Sequence, residues 1–143
     1  MKVRKAQAAW EGTLREGQGT VSFGEGAFEG AYSWAGRFEE GPGTNPEELL
    51  GAAQAACFTM ALSSGLTRAG FNPERIETTA NVHFEKLEGG WTVTRIELET
   101  EARVPGVEEQ AFQELAENAK TTCPISRALG PVELVLEARL TGG

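Results

Sequence analysis

Thiols and imidazoles are scarce in this 143-residue chain, which has two cysteines, Cys57 and Cys123, and one histidine, His83. Two cysteines are too few for a disulfide-stapled secreted scaffold or for a structural zinc site built on four thiolates. One histidine and two cysteines 66 residues apart also lack the paired-ligand spacing of a mixed metal site. In Val82-His83-Phe84 the imidazole alternates with two apolar neighbours, so it is expected to face solvent, which disfavours a Cys–His hydrolase. Positive charge is in deficit too. Lys plus Arg is 13 against 21 acidic residues, a net charge of −8, the wrong sign for phosphate backbones or anionic lipid. Aspartate is absent, so every acid is a glutamate, and this Glu-rich, Cys-poor and Met-poor composition leans toward a heat-adapted protein. No segment approaches the ~18 apolar residues of a membrane span, and no apolar stretch of signal-peptide length follows the basic Met1-Lys2-Val3-Arg4-Lys5. These absences point to a cytoplasmic protein with neither nucleic acid nor membrane as partner. In a reducing compartment any bond between Cys57 and Cys123 is transient.

What is present suffices for one hydrophobic core. Hydrophobic residues make up 40% and charged residues 24%, the usual globular mix, so residues 1–143 are expected to form a single domain. The first third is β-rich and glycine-punctuated, an antiparallel meander in which Thr20–Phe23 and Phe28–Trp34 are strands. A loop over Phe38–Thr44 follows, and Asn45-Pro46-Glu47-Glu48 opens a helix, with Asn45 as N-cap, Pro46 at the first helical position and two glutamates against the positive end of the macrodipole. Strands Ile76–Leu87 and Trp91–Val104 are joined at Glu88-Gly89-Gly90, with Ile96 and Leu98 on the buried face. Val107–Thr122 is an amphipathic helix presenting Phe112, Leu115 and Ala119 to the core, Pro124 closes it just after Cys123, and Val132–Leu140 is a last strand. The fold class is α+β with antiparallel sheets in the order βββ-α-ββ-α-β.

The central helix, Leu49–Leu66, is apolar or small almost all the way round, as in Ala52, Ala53, Ala55, Ala56, Phe58, Met60, Ala61 and Leu62. A helix without a polar face is buried on most sides, and one sheet plus one further helix can hardly cover it. A partner subunit is the expected source of the remaining cover. The ββαβ order of the latter part has the topology of KH RNA-binding domains, but the basic Gly-x-x-Gly loop is missing and the net charge is −8.

A free cysteine is often just a small buried hydrophobe, and position alone gives neither Cys57 nor Cys123 a function. Their neighbours change that. The run Arg37-Phe38-Glu39-Glu40-Gly41-Pro42-Gly43-Thr44-Asn45-Pro46-Glu47-Glu48-Leu49-Leu50-Gly51-Ala52-Ala53-Gln54-Ala55-Ala56-Cys57-Phe58, followed by Thr122-Cys123-Pro124-Ile125-Ser126-Arg127-Ala128-Leu129, resembles the OsmC/Ohr family of thiol-dependent hydroperoxide reductases. The resemblance covers essentially the whole chain. With its arginine in Gly36-Arg37-Phe38, just before the Gly-Pro-Gly loop, the chain is similar to the OsmC branch.

That resemblance implies an intertwined homodimer with active sites at the subunit interface. It also implies a peroxidase that reduces organic hydroperoxides, and hydrogen peroxide more weakly, in oxidative or osmotic stress. Cys57 would be the peroxidatic and Cys123 the resolving thiol, Arg37 would stabilise thiolate and peroxide, and Glu47, or Glu48 beside it, would hold the arginine by a bidentate pair. The chemistry needs such residues, because attack on an O–O bond takes a thiolate, an apolar helix raises a thiol's pKa, and guanidinium is a permanent cation. Arg37 as a solvated loop residue and Glu47 as an ordinary helix-start carboxylate remain the plain alternatives. Phe58, Met60 and Leu62 are expected to line a pocket for the organic tail. No cofactor is expected. An external dithiol, either a dihydrolipoyl protein or a small thiol, would restore both cysteines.

Ten residues separate Glu47 from Cys57, about 15 Å along a straight helix and rotated off one face. Either the helix breaks between them, with Gly51 the candidate, or the arginine and glutamate reach the cysteine of a second subunit. The alternative to an enzyme is a non-catalytic small-molecule-binding or structural dimer whose thiols are idle.

Overall fold

The computed structural model describes residues 1–142. The chain divides into two compact units, Met1–Leu49 and a second from Leu50 onward. In the first, β1 (Ala6–Glu11), β2 (Gln18–Phe23) and β3 (Phe28–Tyr32) form the expected antiparallel meander, with Trp10 opposite Gly19 and Gly19 opposite Tyr32. A five-residue helix that the sequence pattern does not show, α1 (Trp34–Phe38), follows directly. Ser33 caps it, its Oγ accepting the Gly36 N–H at 3.0 Å. The Gly41-Pro42-Gly43 loop then turns back on β3, where the Thr44 N–H donates to the Ala31 carbonyl at 2.9 Å. Gly43 has φ of +90°, and a Cβ there would sit 2.5 Å from that same carbonyl oxygen. Only glycine allows this turn.

Helix α2 (Pro46–Arg68) begins in the first unit and continues through the second without a break. Its start is as the sequence predicts, the Asn45 Oδ1 accepting the Glu48 N–H at 2.8 Å. Gly51 is no kink. It is a buried contact point, where a Cβ would approach Val82 of the following strand to 3.0 Å. Strands β4 (Arg75–Leu87) and β5 (Gly90–Arg103) form a long hairpin closed at Leu87 opposite Gly90. Two helices, α3 (Glu109–Thr122) and the short α4 (Pro124–Ala128), precede β6 (Glu133–Leu140). The expectation of purely antiparallel sheets fails here, since β6 runs parallel to β5 in the order β4-β5-β6. The reason is the connection: a helical crossover returns the chain to the end at which β5 began, and only a parallel strand can follow.

The core of this unit joins Phe58, Leu62 and Leu66 of α2, Ile96, Leu98 and Ala102 of β5, and Phe112, Ala116 and Ala119 of α3. Leu115 packs against this core as expected, partly buried, and Ala116 beside it is wholly enclosed. A hydroxyl ladder fastens helix to sheet: Thr59 donates to Thr78 at 2.8 Å, and Thr78 and Thr100 share a bond of 2.9 Å.

The apolar helix α2 is covered along one stripe only, Gly51, Gln54, Phe58, Leu62, Gly65 and Leu66, while Ala52, Ala53, Ala56 and Met60 are exposed. Burial on most sides is therefore not achieved within one chain. By length and composition α2 is also apolar enough to cross a membrane, contrary to the sequence expectation that no segment is. Its stripe in the core is the packing of a core helix. Phe58→Ala should lower the unfolding free energy by about 3–5 kcal/mol. Urea denaturation measures this, and a loss under about 1 kcal/mol would place the ring outside the core.

Candidate active site

Arg37 lies in the last turn of α1 and Glu47 in the first turn of α2, and the two meet as a fork. Arg37 Nε donates to Glu47 Oε1 at 3.0 Å and Nη2 to Oε2 at 2.8 Å. Asn45 sets the geometry: while its Oδ1 caps α2, its Nδ2 donates to the Gly36 carbonyl at 2.9 Å, tying one helix end to the other. Of the two glutamates, it is Glu47 that pairs with Arg37. Glu48 accepts the Thr44 hydroxyl at 3.0 Å instead. The Arg37 side chain is 38% exposed and that of Glu47 13%.

Beside this pair the first unit carries a recess of about 390 Å³ lined by Trp10, Leu14, Tyr32, Trp34, Phe38 and Arg37 among others. Phe58, Met60 and Leu62, expected to line an apolar pocket, are not among the residues lining this recess. Phe58 and Leu62 are wholly enclosed in the core of the second unit, and Met60, on another face of the same helix, is 74% exposed. An apolar run with no polar face gave no phase from which to tell these sides apart.

The two cysteines are both free thiols. Cys57 is half-buried on α2; Cys123 is fully buried at the junction where it ends α3 and caps α4. Although 66 residues apart in sequence, the two thiols come near enough for each to shift the other's ionisation. Burial pushes the Cys57 thiol above its ordinary value, and the neighbouring Cys123 adds to that rise more than a backbone bond from Ile125 offsets it. At Cys123 burial also works upward, but hydrogen bonds from Cys57, from the Ser126 hydroxyl and N–H and from Ile125 outweigh it, leaving this thiol below its ordinary value. Within one chain, then, the sulfur better prepared to carry negative charge is Cys123.

Two residues at this site escaped the sequence reading. Ser126 Oγ lies 3.3 Å from Cys123 Sγ, and its N–H donates to the same sulfur at 3.4 Å. Gln54, fully buried one turn before Cys57, donates through Nε2 to Ser126 Oγ at 2.7 Å. The available signal was a lone amide in an alanine-rich run, three residues from a cysteine. Its Oε1 has no partner among the described residues. Such a buried acceptor costs about 1–3 kcal/mol. His83 behaves as expected, partly exposed and bonded to Glu97 at 2.7 Å, which holds the Glu97 carboxyl below its usual value. Among the described residues no three His, Cys or Glu side chains gather as metal ligands.

Residues 39–137 match the family model of OsmC-like proteins. Over 138 residues, 96% of each chain, the sequence is 46% identical to peroxiredoxin OsmC of Escherichia coli K12. It is 31% identical over 98 residues, 67% of each chain, to an organic hydroperoxide resistance protein of Xanthomonas axonopodis pv. citri. An OsmC-like protein from Vibrio cholerae superimposes with a TM-score of 0.79 at 20% identity, covering 96% of this chain and 99% of that one. With the arginine–glutamate fork and the paired thiols both in place, the chain belongs to the OsmC family.

Proposed function

We propose that the chain is a thiol-dependent peroxidase that reduces organic hydroperoxides to alcohols, acting as one functional domain in a homodimer. The observation that carries this is that its two thiols, one on the central helix and one at the start of α4, lie near enough to shift one another's ionisation. The similarity to a peroxiredoxin and to a hydroperoxide resistance protein supports the same chemistry. The Cys57 thiolate attacks the terminal peroxide oxygen, the O–O bond breaks, an alkoxide leaves and takes a proton, and Cys57 becomes a sulfenic acid. Cys123 attacks that sulfur, hydroxide leaves as water, and a disulfide forms. An external dithiol then reduces it by exchange, and no cofactor takes part.

The burial of Cys57 sets the demand on Arg37. A thiol pushed upward is mostly protonated at neutral pH and needs a cation beside it. Because α2 is unbroken, a carboxylate ten residues before the cysteine lies about 15 Å along the axis from it. We therefore assign the Arg37–Glu47 fork to the Cys57 of a second chain, whose helix also covers the open alanine face of α2. The recess beside Arg37, rich in aromatic rings, takes the organic tail in place of Phe58, Met60 and Leu62.

Reduced protein mixed with cumene hydroperoxide should lose two free thiols per chain and release one alcohol. In Cys57→Ser the thiol count should stay unchanged, and a Cys57→Ser protein that still turns over peroxide would leave the thiols idle. Arg37→Met should lose about 10²-fold in rate at neutral pH. Because thiolate is the reactive form, that loss should shrink as pH rises through the Cys57 ionisation. Glu47→Gln should change stability by no more than about 1 kcal/mol, since the pair is partly exposed. Mixing inactive Cys57→Ser and Arg37→Met chains tests the partner assignment. Each mixed dimer assembles one complete site, so about a quarter of wild-type activity should return. No recovery after verified subunit exchange would confine the site to one chain.

A further inference from the structure

The buried polar side chains of the described residues are Gln54, Thr100 and Ser126. Thr100 belongs to the hydroxyl ladder between β4 and β5. Gln54 and Ser126 bond each other across 72 residues of sequence and end on a reactive sulfur.

Chemistry fixes the direction of the first of these bonds. The amide Nε2 can only donate, so Ser126 Oγ accepts from Gln54 at 2.7 Å. Once Cys123 is a thiolate its Sγ can only accept, so the serine O–H, 3.3 Å away and not needed by Gln54, then donates to it. The Ser126 N–H reaches the same sulfur at 3.4 Å. Cys123 thus receives two donors from one residue, and that residue is held in place by a glutamine on the helix that carries Cys57. The glutamine leaves its own oxygen without a partner, so its orientation serves the serine rather than its own hydrogen-bonding capacity.

We propose that Gln54 and Ser126 are positioning residues for the resolving step: they hold Cys123 Sγ facing Cys57 and supply the donors under which it attacks as thiolate. The inference rests on Cys57 being the peroxidatic cysteine and adds what prepares its partner. In that step the Cys123 thiolate supplies the electron pair of the new S–S bond, and the S–O bond of the Cys57 sulfenic acid breaks. The departing hydroxide takes a proton to leave as water. Two electrons have already passed from sulfur to the hydroperoxide, so no further oxidant is needed.

Stopped-flow oxidation of the full-length reduced protein by cumene hydroperoxide separates the two steps. Dimedone trapping reports the Cys57 sulfenic acid, and loss of the second thiol reports closure of the disulfide. Ser126→Ala and the similarly sized Gln54→Met should form sulfenic acid at the wild-type rate and close the disulfide about tenfold more slowly. A tenfold change corresponds to one pKa unit, and the pH midpoint of closure should rise to match. Ser126→Thr, which keeps a hydroxyl, should restore both rate and midpoint. Should Ser126→Ala fail to fold, Gln54→Met carries the comparison, since it removes the donor and keeps the volume. Normal sulfenic acid formation with unchanged closure rate and midpoint in both variants would overturn the relay alone. A wild-type protein that forms no sulfenic acid would overturn the peroxidase reading, and the relay with it.

Discussion

The proximity of the Cys57 thiol on the central helix to the Cys123 thiol at the junction of two others sets the electrostatic problem for everything around it. Two sulfurs this close do not ionise independently, because charge on one opposes charge on the other. Burial adds to the difficulty at both. The fold answers asymmetrically, placing fixed neutral donors at Cys123 and leaving Cys57 on a helix with no donor strong enough to offset its burial. Neutral donors suit a sulfur that must wait in one orientation. In the proposed reaction the sulfur that meets the peroxide would need a permanent charge instead, which is the part proposed for Arg37.

The construction around Arg37 favours order over stability. A half-exposed ion pair contributes little to the folding free energy. Yet Ser33, Asn45, Gly43 and Glu47 each constrain the segment that carries the guanidinium, through a cap, a helix-to-helix bond, a left-handed turn and a bidentate fork. Such restraint lowers the entropy that the arginine would otherwise lose on meeting an anion. The aromatic recess beside it draws Trp34, Arg37 and Phe38 from this segment and Trp10 and Tyr32 from the meander, so charge and apolar surface adjoin.

Local chemistry made much of this legible in the sequence. Asn45-Pro46-Glu47-Glu48 announced the start of α2, and the turn around Glu88-Gly89 announced the hairpin, because each depends on residues adjacent in the chain. The alternation through Ile96 and Leu98 identified the buried face of β5. What stayed hidden was set by distant partners. The parallel course of β6 is decided by the crossover before it, not by its own residues. Helices α1 and α4, five residues each, are too short to show a period. In α2 the apolar residues run all round the helix, so no phase separated enclosed Phe58 from exposed Met60. Gln54 and Ser126 lie 72 positions apart, and only the folded packing makes them neighbours.

The helical crossover between β5 and β6 also bears on the order in which the molecule is made. Cys123 sits within that crossover, beyond both strands of the long hairpin, so bringing it back to Cys57 closes a 66-residue span. Such non-local closures are slow and come late in folding. A nascent or partly folded chain therefore carries two separate, ordinary thiols, and thiol reactivity matures only with the last tertiary contacts.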